Sequence, residues 1–188
     1  MGLRERKREL NRETIVRVAY RLFSERGYDE TTVDEIATAS NVSPRTFYRY
    51  FDSKDAVLAE GGFDIVDRAL DAVGPEPSIE ALALAMARAL EEMVRDDHME
   101  VTVRLLREHP RIAAHAPVWH QRWATYLESE LAGAGGRAHP SFEDRVRSTT
   151  AVQAVAVAAD EWLYRRPRVA LTALVQEAMA YLDGSLHG

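Results

Sequence analysis

Residues 32–54 read TVDEIATASNVSPRTFYRYFDSK, and the rest of the chain is organised around them. Thr32 is a natural helix N-cap, and Glu35 three residues on completes a capping box that satisfies two otherwise unpaired N–H donors. Val33, Ile36 and Ala37 share one face at helical spacing. Asn41 tolerates the left-handed conformation that ends a helix. Ser43 caps a second helix, with Pro44 at its first position, where the missing N–H costs nothing. Phe47 and Phe51, four apart, give that helix an apolar stripe. Ser53 caps again and opens a third helix, with Lys54 and Asp55 at its first two positions.

The second helix carries Arg45, Thr46, Tyr48, Arg49 and Tyr50 on its other face. A solvated polar face explains why Phe47 and Phe51 turn inward. It does not explain two tyrosines interleaved with two arginines and a threonine on so short a surface. Aromatic rings beside guanidinium groups suit phosphates and base edges. A helix, a tight turn and a second helix presented outward form the helix-turn-helix arrangement, whose partner is double-stranded DNA.

The run LFSERGYDETTVDEIATASNVSPRTFYRYFDSKDAVL, residues 22–58, resembles the DNA-binding module of the TetR-type (tetracycline repressor-like) transcriptional regulators. The match covers residues 14–58 without a gap. It combines Phe23-Gly27-Tyr28, Thr32, Ile36-Ala37, Phe47-Tyr48, Phe51 and Lys54 in order. By position, the resemblance implies that Arg45 and Thr46 meet base edges or adjacent phosphates, and that Tyr48, Arg49 and Tyr50 meet phosphates and thymine methyls. It places Thr32 and Lys54 at helix N-termini, where phosphates sit. Pro44 departs from the pattern: some members place a polar base-contacting side chain there. Sequence preference then leans on Arg45 and Arg49, with arginine to guanine as the favoured specific pair.

The net charge of −6 argues against a protein that coats nucleic acid generally. Its distribution fits a localised one: residues 1–54 hold 11 Lys/Arg against 9 Asp/Glu, and residues 55–188 hold 13 against 21. The acidic body keeps DNA at the N-terminal end. The first dozen residues carry Arg4, Arg6, Lys7, Arg8 and Arg12 among glutamates. A solvated helical lead-in is favoured over a basic arm in a minor groove, since the glutamates weaken the local potential. Zero cysteines exclude disulfides and thiolate metal sites and fit a cytoplasmic protein. There is no apolar run of membrane-spanning length and no signal-peptide core, so no membrane partner is expected. The six histidines form no i, i+4 metal pair, and no nucleophile turn or phosphate loop occurs. Neither catalytic residues, nor a metal, nor a cofactor is expected.

The predicted fold is all-α with about nine helices: a DNA-binding domain over residues 1–52, with its reading motif at 32–51, and a helical effector-binding and dimerisation domain over 53–188. Helices are expected over residues 53–73, 78–95, 100–108, 111–131, 141–165 and 168–183. Gly61-Gly62 interrupts the first of these, and Pro75, residues 96–98 and Arg165-Arg166-Pro167 separate others. Trp119, Trp123 and Tyr126 form an aromatic stripe that Met86 and Met93 can face, and methionine adapts to varied shapes. Plain core is the ordinary reading of such a stripe. A pocket between helices is favoured here, and the resemblance implies a small hydrophobic effector in it. The expected lining is Phe63, Met86, Leu90, Met93, Trp119, Trp123 and Tyr126. The segment from Val101 to Ala132 is also similar to family members that sense acyl-coenzyme A-like ligands, which would give Arg104 or Arg122 a phosphate or carboxylate to meet. Residues 152–159 leave almost no polar face, so one side is expected to meet the core and the other a second copy of the chain. Ala151, Val155, Ala158, Leu171, Leu174 and Ala178 are the expected homodimer contacts. The alternative remains that the body only dimerises or binds a protein partner.

Overall fold

In the computed structural model, residues 3–74, 76–95, 97–165 and 169–184 are described. The helix breaks expected at Pro75, Asp96 and Arg166-Pro167 lie outside these residues, but Asp97 and His98, expected in the second break, are already helical. The reading module opens with α1 (Leu3–Arg26), whose Ile15, Ala19, Leu22 and Phe23 are buried. Gly27 ends it at φ 87°, a conformation that costs glycine nothing. In α2 (Val33–Ala39) the capping box forms: Thr32 Oγ1 accepts from the Glu35 N–H at 3.2 Å, and Glu35 Oε2 accepts from the Thr32 N–H at 2.9 Å. Asn41 takes the left-handed turn at φ 55°. Ser43 then caps α3 (Pro44–Tyr48), accepting from the Thr46 N–H at 3.0 Å. Phe47 is fully buried and packs 5.5 Å from Phe51, so the stripe faces inward.

The helix expected over residues 53–73 is split into α4 (Lys54–Leu58) and α5 (Glu60–Ala72). The break falls at Ala59, and Gly61-Gly62 lie inside the first turn of α5. The glycines act by leaving room, because a side chain on Gly62 would collide with Trp123. Ser78 caps α6 (Ile79–Val94), which packs between α5, α10 (Phe142–Arg165) and α11 (Leu171–Leu182). Then come α7 (Asp97–Glu108), α8 (Pro110–Ala113) and α9 (Ala116–Ala134), which restarts at Pro117. A second capping box opens α10: Asp144 accepts from the Ser141 N–H at 2.7 Å and from Arg137 at 2.7 and 2.8 Å. Burial pushes the Asp144 carboxyl up, but the Ser141 donors and the Arg137 guanidinium outweigh it and hold it below its ordinary value. Glu91 closes the N-terminus of α11 by accepting from the Leu171 and Thr172 N–H groups.

These are eleven helical segments among the described residues, or nine when α4–α5 and α8–α9 each count as one broken helix; no described residue is in a strand. Two hydrophobic cores fill the molecule. One belongs to the body: α5, α6, α9, α10 and α11. The other belongs to the reading module, but it does not stop at residue 52, since Val57 and Leu58 of α4 join it. So do Val101, Leu105, Ile112 and Trp119 from α7, α8 and α9. Trp123 borders both cores. No helix among the described residues is long and apolar enough to cross a membrane.

Phe47 has no exposed surface and anchors α3 to α1 and α2. Phe47→Ala is expected to cost about 3–5 kcal/mol in denaturant unfolding, because a core cavity opens with little behind it to collapse.

Candidate nucleic-acid interface and ligand cavity

On α3, Arg45, Tyr48 and Arg49 project to solvent, spaced so that they share one outward surface. Tyr48 is 55% exposed, standing edge-on to Phe47 at 5.6 Å. The inward Phe47 therefore fixes the direction in which the outward residues point. Thr46 is half-buried, its hydroxyl 2.9 Å from that of Ser43. Tyr50 is also half-buried, and its hydroxyl accepts from Asn11 at 3.4 Å and Arg49 at 3.3 Å. The Arg49 guanidinium lies 5.2 Å from the Tyr50 ring. Burial raises the Tyr50 phenol, and the Asn11 and Arg49 donors more than offset it, leaving its pKa lowered. Thr32 is exposed, but its hydroxyl is engaged in the capping box.

Lys54 occupies a different place from the one its position suggests. Its ammonium donates to the carbonyls of Tyr28 at 2.6 Å, Thr31 at 2.9 Å and Asp29 at 3.5 Å. It also lies 4.1 Å from the Tyr28 ring. Burial lowers its pKa, against the pull of Asp29 and Glu30. Three donors aimed at three carbonyls leave none for a phosphate, so the side chain ties the turn after α1 to the start of α4.

Behind the module, a cavity of about 690 Å³ lies between α5, α6, α7, α8, α9 and α10. Of the nine residues expected to line it, Met86, Leu90, Trp119 and Trp123 do. Phe63, Met93, Arg104, Arg122 and Tyr126 do not. Arg122 is turned about 100° from Trp123, whereas Tyr126 lies two turns beyond Trp119 on nearly the same face and so falls past the cavity's end; both meet α5. There Arg12 and Arg122 place their guanidinium groups 5.8 and 5.7 Å from the Phe63 ring, and Tyr126 meets that ring edge-on at 5.4 Å. The Tyr126 hydroxyl donates to Asp67 at 2.6 Å. Met93 is packed in the body core, and Arg104 sits half-buried on α7.

Sequence reasoning missed the polar lining of the cavity: Thr102, Arg107, His120, Gln153 and Asp160. It also missed Trp162, the third tryptophan of the chain. The signal available was a tryptophan near the end of an otherwise small-residue helix. Burial lowers the His120 pKa in spite of Asp160, so its imidazole is neutral at pH 7. The ring lies 5.2 Å from that of Trp123.

The expected dimer contacts require correction. Ala151 and Leu171 have no exposed surface, and Val155, Ala158 and Leu174 are buried as well. They face the core of their own chain, with Val155 also lining the cavity, and so are closed to a second copy; Ala178 is half-buried. The outward face of α10 runs instead through Val146, Thr149, Gln153 and Val157, the last 63% exposed; Gln153 and Val157 also line the cavity. Residues 154–158 are alanine and valine only, so periodicity alone could not say which side looks inward.

Cavity and reading module are joined at named atoms. The Trp123 indole N–H donates to the Ala59 carbonyl at 2.8 Å, across the break between α4 and α5. A Cβ on Gly62 would lie 1.9 Å from Trp123 Cε2. Thr102, also in the cavity wall, is 2.7 Å from the hydroxyl of Tyr20 on α1. Burial, foremost, raises the Tyr20 phenol far above its ordinary value and keeps it neutral. Arg12 of α1 pairs with buried Glu60 at the start of α5, whose carboxyl burial raises and Arg12 lowers. Two histidine–aspartate contacts, His115 to Asp55 at 2.9 Å and His109 to Asp29 at 3.6 Å, run beside them.

A three-helix module offering Arg45, Tyr48 and Arg49 from an exposed helix, packed on a helical body, defines a helix-turn-helix fold. Residues 15–60 match the family model of the bacterial regulatory proteins, tetR family. The HTH-type transcriptional regulator TcmR of Streptomyces glaucescens is 40% identical over 102 residues, which is 53% of this chain and 45% of TcmR. The biofilm operon icaADBC negative transcriptional regulator IcaR of Staphylococcus aureus is 44% identical over 49 residues, 26% of each chain. These matches span less than half the length of either relative. Thermus thermophilus FadR, a TetR family repressor solved in complex with lauroyl-CoA, shares the fold with a TM-score of 0.57 at 24% identity, over 94% of this chain and 96% of FadR. A tetR-family regulator from Streptomyces coelicolor does so with a TM-score of 0.51 at 25% identity, over 98% and 83% of the two chains. Residues 15–60 thus carry the tetR-family DNA-binding module, and the whole chain shares the fold of solved TetR-family regulators.

The Lys54 contacts separate two roles that its sequence position confounds. Lys54→Ala is expected to lower unfolding stability by about 1–3 kcal/mol as carbonyls lose their donor, and to leave the salt slope of DNA binding unchanged. Arg49→Ala is expected to reduce that slope by about 1. Salt titration of binding to one duplex checks both.

Proposed function

We propose that this protein is a ligand-responsive repressor. As a homodimer it binds a palindromic operator and is released when a small hydrophobic molecule fills the cavity. The observation that carries the reading is that Trp123 and Gly62 belong at once to the cavity wall and to the helix break below the reading module. A molecule in the cavity must press on the indole that holds the Ala59 carbonyl. If it binds better with that indole displaced, α4 reorients and carries the α3 surface with it. In a dimer this changes the distance between two recognition helices that must meet successive major grooves. Only the difference in affinity for the two arrangements can drive the shift.

Arg45, Tyr48 and Arg49 are the residues proposed to touch DNA, with Thr46 and Tyr50 at the margin. Lys54 and Thr32 position the helices that present them. The dimer surface proposed is the exposed side of α10 through Val146 and Val157, continued by Tyr181 on α11, which is 62% exposed. A two-fold contact places the same patch of both copies face to face. The second reading, a regulator whose body only dimerises or binds a protein, has that same exposed apolar face in its favour.

Selection from a random DNA pool is expected to return an inverted repeat, bound by protein of dimeric mass. Val157→Glu is expected to yield monomers by analytical ultracentrifugation and to weaken operator binding at least about tenfold, since half-sites are then bound singly. A single unpaired half-site bound by monomeric wild type would overturn the proposal. Gly62→Ala places a methyl where the indole lies and is expected to lower operator affinity without ligand by about tenfold, or 1.4 kcal/mol. Trp123→Phe keeps a ring but removes the N–H donor, and is expected to shrink the effect of any effector on operator affinity, read by fluorescence anisotropy.

A further inference from the structure

All three tryptophans of the chain, Trp119, Trp123 and Trp162, line the cavity, brought there from α9 and α10. His120 joins them, its ring beside that of Trp123. Hydrogen-bonding groups reach this wall from three different helices: Thr102 from α7, His120 from α9 and Gln153 from α10. Charge in the wall is balanced. Arg107 is its one basic residue among the described residues, it bonds Glu108 at 3.4 Å, and Asp160 stands in the same lining.

We propose that the effector is a flat, uncharged polycyclic aromatic molecule bearing hydroxyl or carbonyl oxygens, and not an acyl-coenzyme A. The inference rests on the ligand-responsive reading above and specifies its ligand. Indole faces favour offset and edge-on contact with other ring systems. A rigid planar ligand also loses little freedom on binding, so more of its contact energy survives as affinity. The cavity volume of about 690 Å³ falls within the range that encloses a molecule of several fused rings. The neutral imidazole and the amide, on different helices, can donate to or accept from oxygen substituents of a ring system. A coenzyme A headgroup needs clustered cations for its phosphates. One arginine shared with a glutamate, in a lining that also holds an aspartate, does not supply them. A fatty carboxylate meets the same aspartate.

The full chain is titrated with a dihydroxyanthraquinone, with lauric acid and with lauroyl-coenzyme A. Calorimetry, tryptophan emission and the unfolding midpoint are followed without DNA, so that intercalation plays no part. The anthraquinone is expected to quench the emission, raise the midpoint and bind at least about tenfold tighter than either lauroyl compound. Trp162→Leu is expected to weaken it by about two- to tenfold while changing lauric acid binding less. Should Trp162→Leu not fold, Trp162→Phe is expected to give a smaller loss of the same sign, and equal affinity would count against the stacking role. Tighter binding of lauric acid or lauroyl-coenzyme A, or no binding of the anthraquinone, overturns the aromatic assignment. Operator binding by protein without added ligand is measured separately, so a failure of the regulator reading is told apart from a failure of the ligand class.

Discussion

One hydrogen bond holds the two halves of the molecule in their relation: the Trp123 indole N–H on the Ala59 carbonyl. The Ala59 carbonyl opens α5 and accepts from the Gly62 N–H at 3.2 Å. The indole of α9 adds a second donor at 2.8 Å. The missing side chain of Gly62 lets the ring approach closely enough to do so. The carbonyl keeps its backbone donor if the ring leaves, but an indole N–H left without an acceptor away from water incurs the cost of its desolvation. The contact therefore behaves as made or broken, which suits a coupling element better than a contact that weakens gradually.

The other bridges make sense around this one. Tyr20 with Thr102, and Arg12 with Glu60, fasten α1 to the body at two further points. Glu60 is buried and so depends on Arg12 for its charge, since an unpaired carboxylate there would be driven to protonate. The stack of Arg12, Phe63, Arg122 and Tyr126 lies on the side of α5 away from the cavity. Residues that looked like ligand contacts thus brace α5.

The reading module was largely legible because its signals are local. Capping boxes, a proline at the first helical position, the left-handed Asn41 and the Phe47–Phe51 stripe each act within a few residues. The body was legible as helices and less so as a site. Met86, Leu90, Trp119 and Trp123 were found because they share a stripe, whereas Arg107, Gln153 and Trp162 sit on other helices, and only packing brings them together. The glycine pair was read as the place of a helix break. The break lies at Ala59, because what matters is the ring that the glycine admits.

The sequence by itself determined the helix-turn-helix, its exposed arginines, the all-helical body and the likeness of the N-terminal module to the tetR family, since each follows from short-range pattern or from the order of a contiguous motif. Tertiary structure alone decided which face of α10 is buried, that Lys54 serves carbonyls, and where a cavity wall meets a helix break. These depend on the rotation of one helix against another. Chain periodicity fixes that rotation only where one face is polar, and over residues 154–158 of α10 none is.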